Sequence, residues 1–159
     1  MSINKSIRQN LDGKYIIIHA DEFDEGIEYA ADVQISQIQL RNAIGTENTN
    51  AIVDFKKLAM LSDCLKIISF SGIIENIVNF ELIYSLQNIE KIYFENKQSF
   101  TVDVSKFQNL IHLGSEYWKG LTNIHTSRSL KSLVLYKFPG INLNRFSGLS
   151  KLTNSATHI

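Results

Sequence analysis

Residues 86–95 read LQNIEKIYFE, with apolar residues at the first, fourth, seventh and ninth positions. The same spacing returns, with some drift, at residues 62–70 (SDCLKIISF), 107–116 (FQNLIHLGSE), 127–136 (SRSLKSLVLY) and 149–155 (LSKLTNS). The fourth position of each copy is an anchor residue. These anchors are 24, 21, 20 and 22 residues apart, and they are Leu65, Ile89, Leu110, Leu130 and Leu152. A period of this size is typical of small structural units stacked side by side in an array.

The apolar period changes within each unit. Before the phrase, apolar residues recur at every third position, as at Phe55, Leu58 and Leu61, which fits a short 3-10 or α-helical turn against a core. Inside the phrase they alternate with polar residues, as at Ile92 and Phe94, which is typical of a short half-buried strand. Each unit is therefore predicted to be a helical turn followed by a strand. Because one unit cannot bury its apolar edge alone, stacked units are expected to share one core.

A helical turn followed by Leu-x-x-Leu-x-Leu every 20–24 residues resembles the leucine-rich repeat family, over residues 35–159 or so. The resemblance implies an α/β fold, namely a solenoid with a parallel β-sheet on its concave face. Short helical or 3-10 turns would then form the convex face. A concave face of this kind suits part of a protein partner better than a small ligand.

The sequence departs from that family at two kinds of position. Ser115 and Ser155 stand where the strand phrase should be apolar. The family usually has Asn or Cys three residues after the last leucine, where the side chain bonds to loop backbone of the neighbouring unit. We predict that this ladder is absent and that Trp118 fills the turn instead. The residues at the ladder positions are Ala43, Ile73, Lys97, Trp118 and Phe138.

The chain is predicted to form a single domain over residues 1–159. Residues 1–50 are expected to form an N-terminal β cap that leads into the first strand, since the exposed end of a stack must be covered. Residues 51–159 are expected to form the repeat array. Within the cap, residues 15–19 predict a strand, residues 21–28 an acidic solvated loop, and residues 33–40 the first strand of the array.

The composition excludes a strong global charge. Sixteen basic residues cancel sixteen acidic ones, so neither direct nucleic-acid binding nor membrane binding is expected. The single cysteine, Cys64, cannot form an internal disulfide and indicates a reducing compartment. The apolar run at residues 15–18 is too short for a signal peptide or a membrane span, so we expect a cytoplasmic location. Abundant Ile and Asn indicate AT-rich codons, which are common in horizontally moving bacterial genes.

The strand phrase also predicts a binding face. Its leucine-like residues should point into the core and the residues between them outward. Tyr, Trp and Arg most often dominate binding energy at protein interfaces. Tyrosines that flank Glu95 and Glu116 therefore predict an aromatic, locally acidic patch. The candidate protein-binding residues are Arg41, Lys91, Tyr93, Glu95, His112, Glu116, Tyr117, Tyr136 and Lys137.

The sequence offers little that indicates catalysis, which needs convergent groups held by further partners. The histidines fall in different units without partners at metal-ligand spacing, namely His19, His112, His125 and His158. Cys64 is interpreted as a small buried apolar residue. The glycines Gly114 and Gly120 stand apart from any Lys-Ser/Thr pair, so no phosphate loop is indicated. We expect no catalytic residue, no metal and no cofactor, and predict that the chain is not an enzyme.

The function that fits these features best is non-catalytic protein binding. A small cytoplasmic repeat protein of bacterial composition suits an immunity protein that occludes the active site of a cognate toxin. A nuclease toxin with a basic cleft would complement the acidic residues of the face. One alternative is a generic repeat scaffold or a fragment of a secreted effector. Another is a small metal-dependent enzyme that uses residues 21–25 with His19. The identity of the partner and the oligomeric state are left open.

Overall fold

The computed structural model of the chain describes residues 7–42, 50–138 and 151–155, which form a mixed α/β fold. The strands, in chain order, are β1 (Arg8–Asn10), β2 (Gly13–His19), β3 (Gln37–Arg41), β4 (Val53–Asp54), β5 (Ile67–Ser71), β6 (Ile77–Val78), β7 (Lys91–Phe94), β8 (Val102–Asp103), β9 (His112–Glu116), β10 (Leu121–Thr122), β11 (Ser132–Tyr136) and β12 (Lys151–Ser155). The helical segments are α1 (Phe23–Asp32) and the 3-10 helices Ala20–Glu22, Phe55–Leu61, Phe80–Ser85, Val104–Lys106 and Ile124–Thr126. None of these described helices is long and apolar enough to cross a membrane.

Eight strands of the described segments form the main sheet, in the order β1-β2-β3-β5-β7-β9-β11-β12. The first pair is antiparallel, and every later pair in this sheet is parallel. The short strands pair separately and in parallel, β4 with β6 and β8 with β10. The predicted α/β class with a mostly parallel sheet is confirmed.

Two columns of buried side chains, all apolar except Ser115, hold the parallel strands in register. The first column is Ile38, Ile68, Ile92, Leu113 and Leu133, which lie opposite one another and are all buried. The second column, two residues further along each strand, is Leu40, Phe70, Phe94, Ser115 and Leu135. Because each strand buries its apolar side chains against those of its neighbours, the core continues from strand to strand.

Aromatic rings extend this core toward helix α1. The rings of Phe70 and Phe94 stack with centroids 4.7 Å apart, and Phe55 lies 6.4 Å from Phe70. Phe23, in α1, stacks on Phe55 at 6.1 Å. Aromatic pairs of this kind contribute about 0.5–1.5 kcal/mol beyond the area they bury. The helix is therefore packed onto the same core as the sheet.

Ser115 is buried at a position where the strand phrase predicts an apolar residue. Its hydroxyl donates to the carbonyl oxygen of Glu116 at 2.6 Å, so its buried donor is paired. Its small side chain leaves space beside Phe94, and the indole of Trp118 packs edge-on against that ring at 5.1 Å. The indole N–H of Trp118 donates to the carbonyl oxygen of Phe100 at 3.0 Å. These contacts confirm that Trp118 fills the turn after the strand.

A ladder of side-chain hydrogen bonds does join successive units, at a different position from the family's. Each donor stands immediately before an anchor residue, and each acceptor is a backbone carbonyl of the preceding unit. The pairs are Asn88 with Ser62 at 2.9 Å, Asn109 with Gln87 at 2.8 Å, and Ser129 with Phe107 at 3.2 Å. These bonds start one residue before each anchor, so they leave the prediction for the family's ladder positions unchanged; Ala43 and the side chain of Ser155 lie outside the described residues.

The turn that follows β7 is also tied to the preceding unit. The amide of buried Gln98 donates to the carbonyl oxygen of Gly72 at 2.9 Å, and its oxygen accepts from the backbone N–H of Ile74 at 3.1 Å. Asn96 accepts from the backbone N–H of Gly72 at 2.9 Å. The residues on either side of Lys97 thus bond to the neighbouring loop, a role that the family gives to position 97.

Aspartate and asparagine alternate at the starts of the last four described 3-10 helices. Asp54 accepts a hydrogen bond from the backbone N–H of Lys56, which caps the helix that follows, and from the side chain of Asn79 at 2.8 Å. Asp103 accepts from the backbone N–H and the hydroxyl of Ser105. These bonds lower the pKa of Asp54, chiefly through Asn79, and the pKa of Asp103, chiefly through the Ser105 side chain.

The acidic stretch at residues 21–28 is not the solvated loop that was predicted. It forms the 3-10 helix Ala20–Glu22 and the first part of α1. The three- and four-residue spacing of Phe23, Ile27 and Ala30 places one apolar stripe against the core, and all three are buried. The acidic residues line the opposite face, where Glu28 pairs with Lys57 at 2.9 Å.

Residues that were predicted to form the N-terminal cap and first strand contribute β1, β2 and β3 to the main sheet. The strand expected at residues 15–19 is confirmed as part of β2, but β2 pairs in parallel with β3 and so belongs to the main sheet. Only β1, which is antiparallel, differs from the following strands in direction. The strand expected at residues 33–40 begins later, at Gln37, because the chain leaves α1 at Val33.

Replacing Leu133 with alanine should lower the free energy of unfolding by about 2–5 kcal/mol, because it empties part of the first apolar column. Val134→Ala is the matched control, since Val134 lies on the other face of the same strand and is only half-buried. Denaturant unfolding followed by circular dichroism measures both. An equal or larger loss for Val134→Ala would mean that the two faces are assigned the wrong way round.

Acid should destabilise the fold through Asp54 and Asp103. Their lowered folded-state pKa values favour the ionised form, so their contribution is complete above the ordinary aspartate value of about 3.9 and is lost as pH falls below it. Below pH 4 or so, the unfolding free energy of the native chain should therefore fall more steeply than that of the Asp54→Asn/Asp103→Asn variant. Asp63→Asn, at an exposed site outside these pairs, should keep the native slope. Identical slopes for all three proteins would refute this role.

Candidate functional site

The outer face of the main sheet consists of three columns of side chains that alternate with the core residues. The first column is Gln37, Ile67, Lys91, His112 and Ser132, and the second is Gln39, Ser69, Tyr93, Gly114 and Val134. At the ends of the strands, Arg41 lies opposite Ser71 and Glu116 opposite Tyr136, and Glu95 directly follows β7. The register therefore places the predicted contact residues on one continuous surface.

The face also extends onto β2, which the sequence analysis treats as part of a cap. Ile17 lies beside Gln39 and His19 beside Arg41. The Nδ1 atom of His19 lies 2.9 Å from the carbonyl oxygen of Asn42. His19 is thus engaged with backbone at the strand end.

Tyr93 and His112 form the aromatic centre of the face. Their ring centroids are 5.2 Å apart, and Nδ1 of His112 lies 2.9 Å from the hydroxyl oxygen of Ser132. The ring of Tyr93 lies across Gly114, where an added Cβ would stand only 2.9 Å from the ring. Half-burial of the phenol raises the pKa of Tyr93, so the side chain is neutral near pH 7. The missing side chain at Gly114 thus leaves room for the ring of Tyr93.

Lys91 forms an ion pair with Asp12 from the turn between β1 and β2. This hydrogen-bonded carboxylate raises the pKa of Lys91. The two residues are 79 positions apart in the chain. The N-terminal hairpin therefore reaches onto the outer face of the sheet.

Glu95 is held by a polar network across three strands. Its carboxylate accepts from the hydroxyl of Ser71 at 2.6 Å and from the amide of Gln39 at 3.2 Å. Arg41 donates to the side-chain oxygen of Gln39 at 3.4 Å. Nε of Arg41 is buried and has no hydrogen-bond partner among the described residues. Arg41 and Glu95 are thus linked through Gln39 rather than paired directly.

The remaining predicted residues gather where β9 and β11 end. Glu116 pairs with Lys137 at 3.3 Å, and Tyr117 packs edge-on against Phe138 with ring centroids 4.6 Å apart. Tyr136 is 44% exposed beside them. Because Glu116 and Asp12 each have a lysine partner, the face is closer to charge balance than the acidic patch expected from sequence.

The structure thus joins the nine predicted residues into three clusters on one face. Lys91, Tyr93 and His112 form the central cluster. Arg41 and Glu95 belong to the polar network, and the strand-end cluster is Glu116, Tyr117, Tyr136 and Lys137. Gln39 and Ser71 lie in the outward columns that the strand phrase predicts, whereas Asp12 and Ile17 were not predicted as parts of this surface. The apolar run at residues 15–18 could have placed β2 in the sheet, but no local pattern pairs Asp12 with Lys91.

The remaining side chains considered for catalysis or metal binding are Cys64, His125 and His158. In the described segments, no three His, Cys, Asp or Glu side chains come close enough together to hold a metal ion. Partial burial raises the pKa of the Cys64 thiol, which disfavours a nucleophilic thiolate. His125 is exposed in its 3-10 helix, and His158 lies outside the described residues.

A groove of about 480 Å³ lies between the last two 3-10 helices. Its hydroxyl groups already donate their hydrogens, Ser105 to Asp103 and Thr126 to the carbonyl oxygen of Asn123. None of the described residues that line the groove is a histidine.

Comparison of the chain with protein-family models, with curated proteins and with solved structures finds no match.

Proposed function

We propose that this chain is a non-catalytic protein-binding module, and that its units form a leucine-rich-repeat-like solenoid with the main sheet on the concave face. Support for the solenoid comes from the recurring order of short strand, 3-10 helix and parallel strand. The hydrogen-bond ladder through Asn88, Asn109 and Ser129 also repeats from unit to unit. One unit would thus support the next along the whole stack.

The observation that carries the binding proposal is the outer face of the sheet. Eight strands at a spacing of about 4.8 Å give a surface on the order of 34 Å wide, which is the scale of a protein interface. Its centre is an aromatic pair, Tyr93 and His112, and its edge is the exposed Tyr136. Half-buried tyrosines in a polar surround are typical of residues that dominate protein binding.

The specific role that we propose is that of an immunity protein, which covers the active site of a cognate bacterial toxin. The length of 159 residues, the balanced charge and the broad face all suit an inhibitor that acts by occlusion. A nuclease toxin is one candidate partner. On this face Glu95 lacks a cationic partner among the described residues. Its carboxylate could therefore form an ion pair with an arginine or lysine of a basic cleft.

The test of this role is to mix the purified chain with the product of an adjacent toxin-like gene. We expect a one-to-one complex by calorimetry and loss of the toxin's activity at equal molar amounts. If no complex forms at micromolar concentrations of both proteins, the immunity role is refuted.

Tyr93→Ala should weaken partner binding by about 30-fold, the factor that corresponds to a hot-spot residue worth about 2 kcal/mol. The melting temperature should barely change, because Tyr93 lies outside the apolar columns. Met60→Ala is the matched control, since Met60 is an exposed apolar residue of the 3-10 helix Phe55–Leu61. A Tyr93→Ala variant that melts at a clearly lower temperature but binds the partner with unchanged affinity would contradict the assignment of the face.

A further inference from the structure

The turn between β1 and β2 (residues 10–13, the strap) is held in one conformation by local bonds. Asn10 pairs with Gly13 across the hairpin, and its side-chain oxygen accepts from the backbone N–H of Asp12 at 2.9 Å. Gly13 has a φ of +124°, a conformation that residues with a Cβ rarely adopt. Local bonds therefore define the turn without help from the sheet.

The strap nevertheless lies across the outer face. Asp12 reaches Lys91 on β7, three positions beyond β2 in the sheet order. Three spacings of about 4.8 Å make about 14 Å, whereas a lysine side chain extends only about 6 Å from its Cα. The turn must therefore lean over β3 and β5 to bring Asp12 to Lys91.

The outer-face residues of the first column are most deeply buried on the strands that the strap crosses. In the first outer column, Gln37 on β3 and Ile67 on β5 are only 5% and 7% exposed. The later members of that column, Lys91, His112 and Ser132, are only partly buried. The covered residues thus lie on the two strands that the strap must cross.

The covered arrangement is weakly held. Burial of Ile67 favours it, but Oε1 of Gln37 is buried without a hydrogen-bond partner among the described residues, which opposes it. The fastening contact is one partly exposed ion pair, a type that contributes little to stability. Leu11, beside Asp12, is fully exposed. Few contacts would therefore be lost if the strap moved away from the sheet.

We propose that the strap is a movable cover of the binding face, fastened by Asp12 and Lys91, that lifts when the partner protein binds. This inference rests on the proposed protein-binding function and adds its regulation. Lifting uncovers Ile67 as an apolar contact and frees Lys91 for a carboxylate of the partner. It also gives the unpaired oxygen of Gln37 access to a donor.

Thiol labelling tests the cover without any partner. In the full chain with Cys64→Ser, an Ile67→Cys substitution places a thiol beneath the strap, and its reaction with a maleimide reports lifting. Asp12→Asn and, separately, Lys91→Gln should each raise the labelling rate by about fivefold, since the open population follows the loss of one exposed ion pair. Glu28→Gln is the matched control, because it removes the ion pair of α1 with Lys57, which lies away from the outer face, and should leave the rate unchanged.

Two labelling results would overturn the proposal. One is a rate that stays slow in both Asp12→Asn and Lys91→Gln, which would mean that the strap does not lift. The other is a labelling rate of Ile67→Cys in the chain with an unaltered strap that already equals the rate of an exposed reference, Asp63→Cys. Melting temperatures of all variants identify any gain in rate that comes from unfolding.

Once a partner protein has been identified, its binding affinity provides a second test. Asp12→Asn should tighten the complex by the same factor of about five, because less free energy is then needed to lift the strap. Faster labelling combined with weaker binding would show that Asp12 is a contact residue and that the strap is no cover. Failure of the partner to bind at all would count against the proposed function alone, since labelling does not depend on it.

Discussion

The in-register burial of one apolar side chain per strand is the constraint on which the rest of the structure depends. Ile38, Ile68, Ile92, Leu113 and Leu133 stand opposite one another with their side chains in the core. A slip of one residue in any strand would turn its apolar set to the outer face, so burial fixes the register strongly. Parallel neighbours further require that the chain return to the same edge after each strand. The short strands and 3-10 helices make that return.

The outer face is a consequence of that register. Once the core side of each strand is fixed, the alternate residues must form columns on the other side, whatever their chemistry. Core packing and partner contact therefore act on different positions of each strand. Core positions are restricted to apolar residues, while outer positions are free to carry the aromatic and charged groups that a partner would need. Gly114 is an example, because its missing side chain leaves room for the ring of Tyr93. The strap then covers only the part of the face nearest the N-terminus.

Sequence periodicity predicted the strands β5, β7, β9 and β11 and the membership of the outer columns, because a two-residue period determines which side each residue faces. The parallel arrangement of these strands was expected from the family resemblance instead. Periodicity failed at residues 21–28, where acidic residues concealed a three- and four-residue apolar spacing that forms α1. The inter-unit ladder was missed because equivalent hydrogen bonds start from residues such as Asn88, one position before the anchor. The contact of Asp12 with Lys91 could not be predicted, since a pair of charges far apart in the chain leaves no periodic signal.

The most direct test of the register is nuclear magnetic resonance of the isotope-labelled chain. Cross-strand contacts between backbone protons are expected to link Ile68 with Ile92, Ile92 with Leu113, and Leu113 with Leu133, all in the parallel pattern. Contacts that join the same strands in antiparallel order, or that are displaced by one residue, would contradict both the shared core and the proposed binding face.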